Sequence, residues 1–257
     1  MSEGSRDRRR RAVLQHLGEA ADAYGGDLPI AVPAPAPARR AAAAARPAPA
    51  PAAAAMQGQP PADRATALAA LRAEALPCTR CKLHKTRTQV VFGDGNPAAR
   101  VLFVGEAPGQ SEDEQGLPFV GRAGQLLTRI IEGGMGLTRR DVYIANINKC
   151  RPPNNREPEP DEVAACLPYL QAQIAILRPE VIVALGKVAA WNLLGIHEAM
   201  KHLRGRELSH GGIPVVVTWH PAYLLRNPAA KADTWEDIKR VNRMLGLAED
   251  PRRQVPD

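Results

Sequence analysis

Three polar side chains follow directly on short apolar runs that are typical of buried strands. Glu106, Asn146 and His220 each lie at, or just past, the end of such a run. The carboxyl ends of parallel strands share one edge of a sheet, and ligands bind at that edge in open α/β folds. A single one of these residues would be explained as an ordinary turn residue or a structural histidine. Three of them at three strand ends favour a functional site in one crevice.

Four cysteines form a second group of candidate functional residues. Cys78 and Cys81 stand in a C-x2-C pair, and 15 residues separate Cys150 from Cys166. Four cysteines in a chain without a secretory signal pattern favour a metal site over disulfides. A four-thiolate zinc site and a cubane iron–sulfur cluster both fit this number of ligands. The wide second pair is unlike a zinc knuckle and favours the cluster, while four unrelated buried thiols remain the alternative.

The elements that must position these residues alternate along the chain. The predicted helices cover 65–76, 124–133, 160–177, 187–194 and 231–245. The main predicted strands cover 101–104, 142–147, 181–185 and 214–218, and a further strand and turn are predicted at 90–96. This alternation predicts an α/β fold with three layers, α/β/α, around a central four-stranded parallel sheet.

Composition restricts the class of protein and its partners. The chain has 257 residues, of which 45% are hydrophobic, so it can bury a substantial core. Its net charge of +7 favours an anionic partner, and nucleic acid is the commonest one. The sequence contains neither an apolar run long enough to span a membrane nor a signal-peptide core, so we expect a cytoplasmic location.

The chain is expected to consist of three parts. Residues 1–64 combine a basic segment with a Pro/Ala-rich tract, a composition that predicts a disordered N-terminal extension. The catalytic domain is expected at 65–247, followed by a short tail at 248–257.

Four motifs together resemble the iron–sulfur uracil-DNA glycosylases of family 4. They are Gly-Glu-Ala-Pro-Gly at 105–109, Gly-Leu-Pro-Phe-Val-Gly at 116–121, Asn-Ile-Asn-Lys-Cys-Arg-Pro-Pro at 146–153, and His-Pro-Ala-Tyr-Leu-Leu-Arg-Asn-Pro at 220–228. The resemblance extends over about 66–247 and includes the four cysteines in order. Each motif alone is weak evidence, but the four in sequence are highly specific.

The resemblance implies an enzyme that flips uracil out of DNA and hydrolyses its N-glycosidic bond. In that family pattern Phe119 stacks on the base, Asn146 reads the uracil edge, and His220 faces uracil O2, where negative charge develops. Glu106 orients water and faces the cationic sugar. The pocket is lined by the backbone of Gly105 and Ala107, and Glu112 excludes the methyl group of thymine.

The same resemblance assigns the contacts with DNA and the cofactor. Leu224 fills the gap left by the flipped base, and Arg226 holds a flanking phosphate. Cys78, Cys81, Cys150 and Cys166 ligate a structural 4Fe-4S cluster, with zinc as the alternative. A monomer is expected, with a replication or repair protein as a partner of the N-terminal extension.

Two other functions compete with hydrolysis. A related branch of the superfamily binds covalently to its abasic product and carries a basic, His-containing insertion between the Asn and the third Cys. That insertion is absent here, because Asn146 and Cys150 are only four positions apart. A non-catalytic protein that recognises DNA damage is the second alternative. Release of free uracil separates hydrolysis from this second alternative.

Overall fold

The structure, a computed structural model, describes residues 61–248. Most of the predicted N-terminal extension and nearly all of the predicted tail therefore lie outside the described residues. The first helix begins at Pro61, four positions before the predicted start of the domain. Within 61–248, no helix is long and apolar enough to cross a membrane.

A six-stranded sheet forms the centre of the domain. Its spatial order is β1-β3-β2-β4-β6-β5. The four inner strands are parallel, and the short edge strands β1 and β5 run antiparallel to their neighbours. The strands are β1 (Asp94–Gly95), β2 (Val101–Gly105), β3 (Tyr143–Asn146), β4 (Val181–Leu185), β5 (Leu208–His210) and β6 (Ile213–Thr218).

Helices cover both faces of this sheet. The α-helices are α1 (Pro61–Ala75), α2 (Gln110–Gln115), α3 (Arg122–Arg129), α4 (Pro160–Leu177), α5 (Lys187–Leu194), α6 (Met200–Leu203), α7 (Pro221–Arg226) and α8 (Lys231–Leu245). A π-helical turn, Ile130–Met135, continues α3. Short 3-10 turns lie at Lys82–Lys85, Pro153–Asn155 and Pro228–Ala230.

Alternate strand residues supply two separate cores. Leu102 and Val104 of β2 pack with α1, α4 and α5 on one face, while Val101 and Phe103 pack with α3 and α8 on the other. This division follows from the two-residue period of a strand, which directs successive side chains to opposite faces. The predicted three-layer α/β/α fold is confirmed.

The sheet differs from the prediction at its edges. Residues 90–93 were expected to form a strand, but strand pairing starts only at Asp94. Val90 and Val91 are buried, and Val91 N–H donates to the carbonyl of Lys149, yet these residues form no strand ladder. The strand was predicted from the apolar run alone. The two antiparallel edge strands extend the predicted four-stranded sheet to six.

Candidate active site

The ends of β2 and β3 bring the first candidate residues together. Gly105 and Asn146 are register partners in the parallel pair. A Cβ atom added to Gly105 would lie 2.5 Å from Asn146 Oδ1 and 2.5 Å from Cζ of Phe119. Only glycine lets the backbone pass this close to both side chains. The Phe119 ring also lies against the His220 ring, with 5.7 Å between the ring centroids.

Phe119 stands in a strained loop that several groups hold in place. Its φ angle is 52°, in the left-handed region that non-glycine residues rarely adopt. Arg139 donates to the carbonyl oxygens of Phe119 and Pro118 at 2.9 and 2.8 Å. At Gly124 an added Cβ would lie 1.9 Å from the Phe119 carbonyl oxygen, so no side chain fits there. Strain of this kind is characteristic of ligand-binding positions.

The side chain of Asn146 is buried and has an oxygen atom that is unpaired within residues 61–248. The residue is 1% exposed, and its side-chain oxygen has no hydrogen-bond partner among the described residues. A buried amide without a partner costs free energy unless something else bonds to it. The neighbouring backbone is rigid, because Lys149 Nζ donates to the Asn146 carbonyl at 2.8 Å and to Gln173 Oε1 at 2.6 Å.

His220 caps α7 with its ring nitrogen Nδ1, so its other ring nitrogen, Nε2, can bind a ligand. Its Nδ1 accepts a hydrogen bond from the backbone N–H of Ala222 at 3.1 Å. A ring nitrogen that accepts carries no proton, so in the neutral ring the proton is on Nε2. Burial, followed by repulsion from Arg226, lowers the pKa of His220 to about 4. Around neutral pH the residue is therefore an uncharged donor.

Glu106 is a half-buried carboxylate at the same sheet edge. No hydrogen bond or ion pair to its carboxylate is formed by any residue in the described range. Burial and, to a smaller extent, repulsion by Glu157 raise its pKa to about 7, against an opposing effect of Lys187. The group can therefore change charge near neutral pH, as acids and bases in active sites commonly do.

The four cysteines line one pocket beside the segment that follows β3. Its walls include Cys78, Cys81, Cys150 and Cys166. The backbone N–H of Lys149 donates to Cys166 Sγ at 3.2 Å. Among residues 61–248, no three His, Cys, Asp or Glu side chains form a group that could hold a metal ion.

A charged side chain reaches another of these sulfur atoms. The Arg87 guanidinium donates to Cys150 Sγ at 3.2 Å and to the carbonyl of Cys78 at 2.7 Å. A donor set of four thiols with N–H groups directed at two of the sulfurs matches the chemistry of an iron–sulfur site.

Comparison with known proteins identifies the family. The family model described as the uracil DNA glycosylase superfamily matches residues 92–239, a range that includes Gly105, Glu106, Phe119, Asn146 and His220. The chain belongs to the uracil-DNA glycosylase superfamily.

Individual members of the superfamily support this assignment over most of their length. A type-4 uracil-DNA glycosylase of Thermotoga maritima is 53% identical over 172 residues, which cover 65% of this chain and 89% of that protein. Type-4 enzymes of Sulfurisphaera tokodaii and Archaeoglobus fulgidus are each 42% identical, over 74% and 67% of this chain and 89% and 90% of their own lengths.

One of the predicted residues of this superfamily member has contacts that the sequence did not indicate. Glu112 was predicted to exclude the methyl group of thymine. Its Oε1 accepts hydrogen bonds at 2.9 Å from the backbone N–H groups of both Val120 and Gly121. The carboxylate therefore helps to hold the Phe119 loop, and the prediction about thymine stays untested. Ala107 lies half-buried next to Glu106, at the expected edge of the pocket.

The prediction for Leu224 needs correction. A residue that enters the DNA helix must be exposed, but Leu224 is 0% exposed and packs in the core beneath α7. The exposed leucine of the pair is Leu225, at 38%. Arg226 is exposed at the end of the same helix, as contact with a phosphate requires.

Several residues that shape the site were missed by sequence reasoning. Arg139 lies 20 positions from Phe119, and nothing in the local pattern indicates their contact. Lys187 is a second example, because its Nζ lies 3.0 Å from Oε1 of Glu157, 30 positions away in the sequence. Long-range contacts of this kind appear only once the strands are placed in order.

Proposed function

We propose that this protein removes uracil from DNA by hydrolysing the bond between the base and its deoxyribose. The observation that carries the proposal is the convergence of Gly105, Phe119, Asn146 and His220 on one pocket beside Glu106. The type-4 names of the relatives support the same reaction. Because a base inside a duplex is inaccessible, the target nucleotide must be flipped into the pocket.

Phe119 and Asn146 recognise the base. The Phe119 ring offers a flat surface for stacking, and Gly105, which has no side chain, lets this ring and the Asn146 amide lie close together. The Asn146 amide can accept from uracil N3–H and donate to O4. Cytosine presents the reverse pattern of donor and acceptor, so it would leave the buried amide oxygen unpaired, at a large cost in affinity.

His220 stabilises the leaving group. As the glycosidic bond breaks, negative charge grows on uracil O2, and the Nε2–H of a neutral imidazole donates to it. The Ala222 N–H to Nδ1 hydrogen bond fixes the ring in this tautomer before the substrate arrives. A donor that is already oriented does not have to reorganise during the reaction, which is usually the largest catalytic contribution in such sites.

Glu106 acts on the sugar side of the bond. As a carboxylate it stabilises the cationic sugar and orients the water that attacks C1′. Since burial raises its pKa to about 7, the rate should increase as the pH rises through that value. His220 would become charged only near pH 4, so it does not limit the rate over this range.

A 4Fe-4S cluster held by Cys78, Cys81, Cys150 and Cys166 is the cofactor that we propose. When bound, it would supply structural cross-linking between the segment after α1, α4 and the segment after β3, without a redox step. Asn146 is four positions from Cys150, so this cross-link would hold the loop that carries the base reader. Zinc is the alternative occupant of the same thiols.

The proposed occupant of the cysteine site can be tested on anaerobically purified protein. We expect a brown protein with broad absorbance near about 400 nm and roughly four irons per chain. A colourless protein with one zinc per chain would contradict the cluster.

DNA contacts are assigned to the surface of α7. Leu225 is the candidate for the residue that fills the gap, and Arg226 would contact a flanking phosphate. The net charge of +7 favours this anionic substrate. A monomeric enzyme and a repair partner for residues 1–64 remain predictions.

The experiment that tests the function compares duplexes that differ in one base. Oligonucleotides with a single uracil, cytosine or thymine are incubated with the protein and then treated with alkali to reveal abasic sites. We expect abasic sites with uracil only, and no break before alkali. Binding of all three duplexes with equal affinity, without the formation of abasic sites, would instead indicate a non-catalytic DNA-binding protein.

A further inference from the structure

An ion pair beside Glu106 has no part in the proposed reaction. Lys187 is the first residue of α5, directly after β4, and Glu157 lies in the segment that follows β3. Their side chains meet at 3.0 Å. Because β2 lies between β3 and β4, this ion pair joins the two segments on either side of Glu106.

Both segments run next to the residue itself. On the β3 side, the backbone N–H of Asn148 donates to the Glu106 carbonyl at 3.0 Å. On the β4 side, Val104 pairs with Ala184, and continuing that register places Glu106 level with the start of α5. Glu157 and Lys187 therefore follow the two strands that flank β2, and their ion pair lies at the same edge of the sheet as Glu106.

The other charged groups around this edge are bound to different partners. Glu112 and Asp113, on α2, accept hydrogen bonds from backbone N–H groups. Lys149 and Arg156, after β3, are hydrogen-bonded elsewhere. On the β6 side, His220 is uncharged near neutral pH. Besides burial, Glu157 and Lys187 are the two charged groups in the described part of the chain that shift the pKa of Glu106.

We propose that the Glu157–Lys187 ion pair adjusts the ionisation of Glu106, with Lys187 favouring the carboxylate and Glu157 opposing it. Both are positioning residues, since they act through Glu106 and not on the base. The inference rests on the proposed function, because it concerns the residue that orients water in that reaction. It is consistent with the opposite effects of these two charges on the pKa of Glu106.

The test measures single-turnover rates of uracil release across the pH range at saturating enzyme and low salt. In Glu157→Gln the acidic limb of the profile should move to lower pH, and in Lys187→Gln to higher pH. Removing one exposed charge should alter the ionised fraction of Glu106 by about twofold. At about pH 6 the rate of Glu157→Gln should therefore rise about twofold, and the rate of Lys187→Gln should fall about twofold. Well above the midpoint the rates should be unchanged, and the double variant should return close to the wild-type profile.

A matched control is available at the other end of the same strands. Arg100 and Glu180 form an ion pair of 2.6 Å just before β2 and β4 begin. Glu180→Gln should leave the pH profile where it is, whatever it does to stability. High salt should reduce the shifts of the Glu157 and Lys187 variants, because it screens exposed charges.

The outcomes separate this inference from the proposed function. Absent shifts, or shifts in the same direction for Glu157→Gln and Lys187→Gln, would overturn the role of the ion pair. A Glu106→Gln variant with the wild-type rate would overturn the proposed role of Glu106 itself. If Glu106→Gln is slow and the ion-pair variants do not shift the profile, only the inference about the ion pair fails.

Discussion

Replacing Glu106 by glutamine should stabilise the protein at alkaline pH while slowing its reaction. The side chain is half-buried and, within the described chain, its carboxylate has no hydrogen-bond partner. Burial raises its pKa from 4.5 to about 7, so the native state holds this proton more tightly than the unfolded chain does. The stabilising effect of the protonated group is complete below about pH 4.5 and is lost as the pH rises through about 7. Glutamine has a similar size and stays neutral, so its advantage appears only at the higher pH.

The size of the effect follows from the pKa difference. A shift of this extent would amount to about 3.4 kcal/mol at most, at roughly 1.36 kcal/mol for each pKa unit. Partial exposure of the carboxylate to water reduces this value. We therefore expect Glu106→Gln to raise the free energy of unfolding by about 2 kcal/mol near pH 8, and by less than about 1 kcal/mol near pH 5.

Urea unfolding at the two pH values, with single-turnover rates on uracil-containing DNA, is the assay. Asp113→Asn is the matched control, because that buried carboxylate accepts hydrogen bonds from the backbone N–H groups of Thr88 and Gln89. The control should lose stability near pH 8, whereas Glu106→Gln should gain it. An equal change in stability at both pH values, or a loss near pH 8, would refute the interpretation of Glu106 as a buried, unpartnered acid.

Four further substitutions test the pocket and α7. His220→Ala should lower the single-turnover rate by about a hundredfold or more and leave DNA affinity nearly unchanged, since it removes one oriented donor that acts in the transition state; a loss of affinity with an unchanged rate would contradict this role. Gly105→Ala places a methyl group 2.5 Å from Phe119 and should lower the same rate by about a hundredfold through misplacement of the base, which a normal rate would disprove. In thermal or urea unfolding, Leu224→Ala should cost about 2–5 kcal/mol. Leu225→Ala should change stability by less than about 0.5 kcal/mol while weakening binding to uracil-containing DNA, and equal losses of stability for the two leucines would be inconsistent with their burial.

Long elements with clear ends were predictable from the sequence. The helices at 160–177 and 187–194 and the strand at 181–185 have the predicted bounds. For α4 the reason is local, because Glu159 and Glu162 form a capping box around Pro160 at the first helical position. The edge strands β1 and β5 have two and three residues, too few to show a period.

The strand-end residues were predictable as a group, but their partners were not. Glu106, Asn146 and His220 could be assigned to one sheet edge because parallel strands share that edge. The strained backbone of Phe119 and its contact with Arg139 depend on packing between distant segments. No local sequence pattern reports such a contact.

Adjacent leucines show the same limit within a single helix. Leu224 and Leu225 have the same residue type and nearly the same neighbours, yet one is buried and the other exposed. Which side of a six-residue helix faces the core is decided by the rotation of that helix against α3 and the sheet. Sequence reasoning assigned the DNA contact to the buried member of the pair for this reason.

Counting the uracil released per protein molecule is the most direct test of the central claim. Uracil-containing DNA is supplied in excess, free uracil is quantified by mass spectrometry, and the protein is examined on a denaturing gel for attached DNA. A hydrolytic pocket built from Glu106, Asn146 and His220 predicts many uracils per protein, an abasic strand, and no covalent adduct. No free uracil, or at most one per protein together with a stable protein–DNA adduct, would contradict hydrolysis.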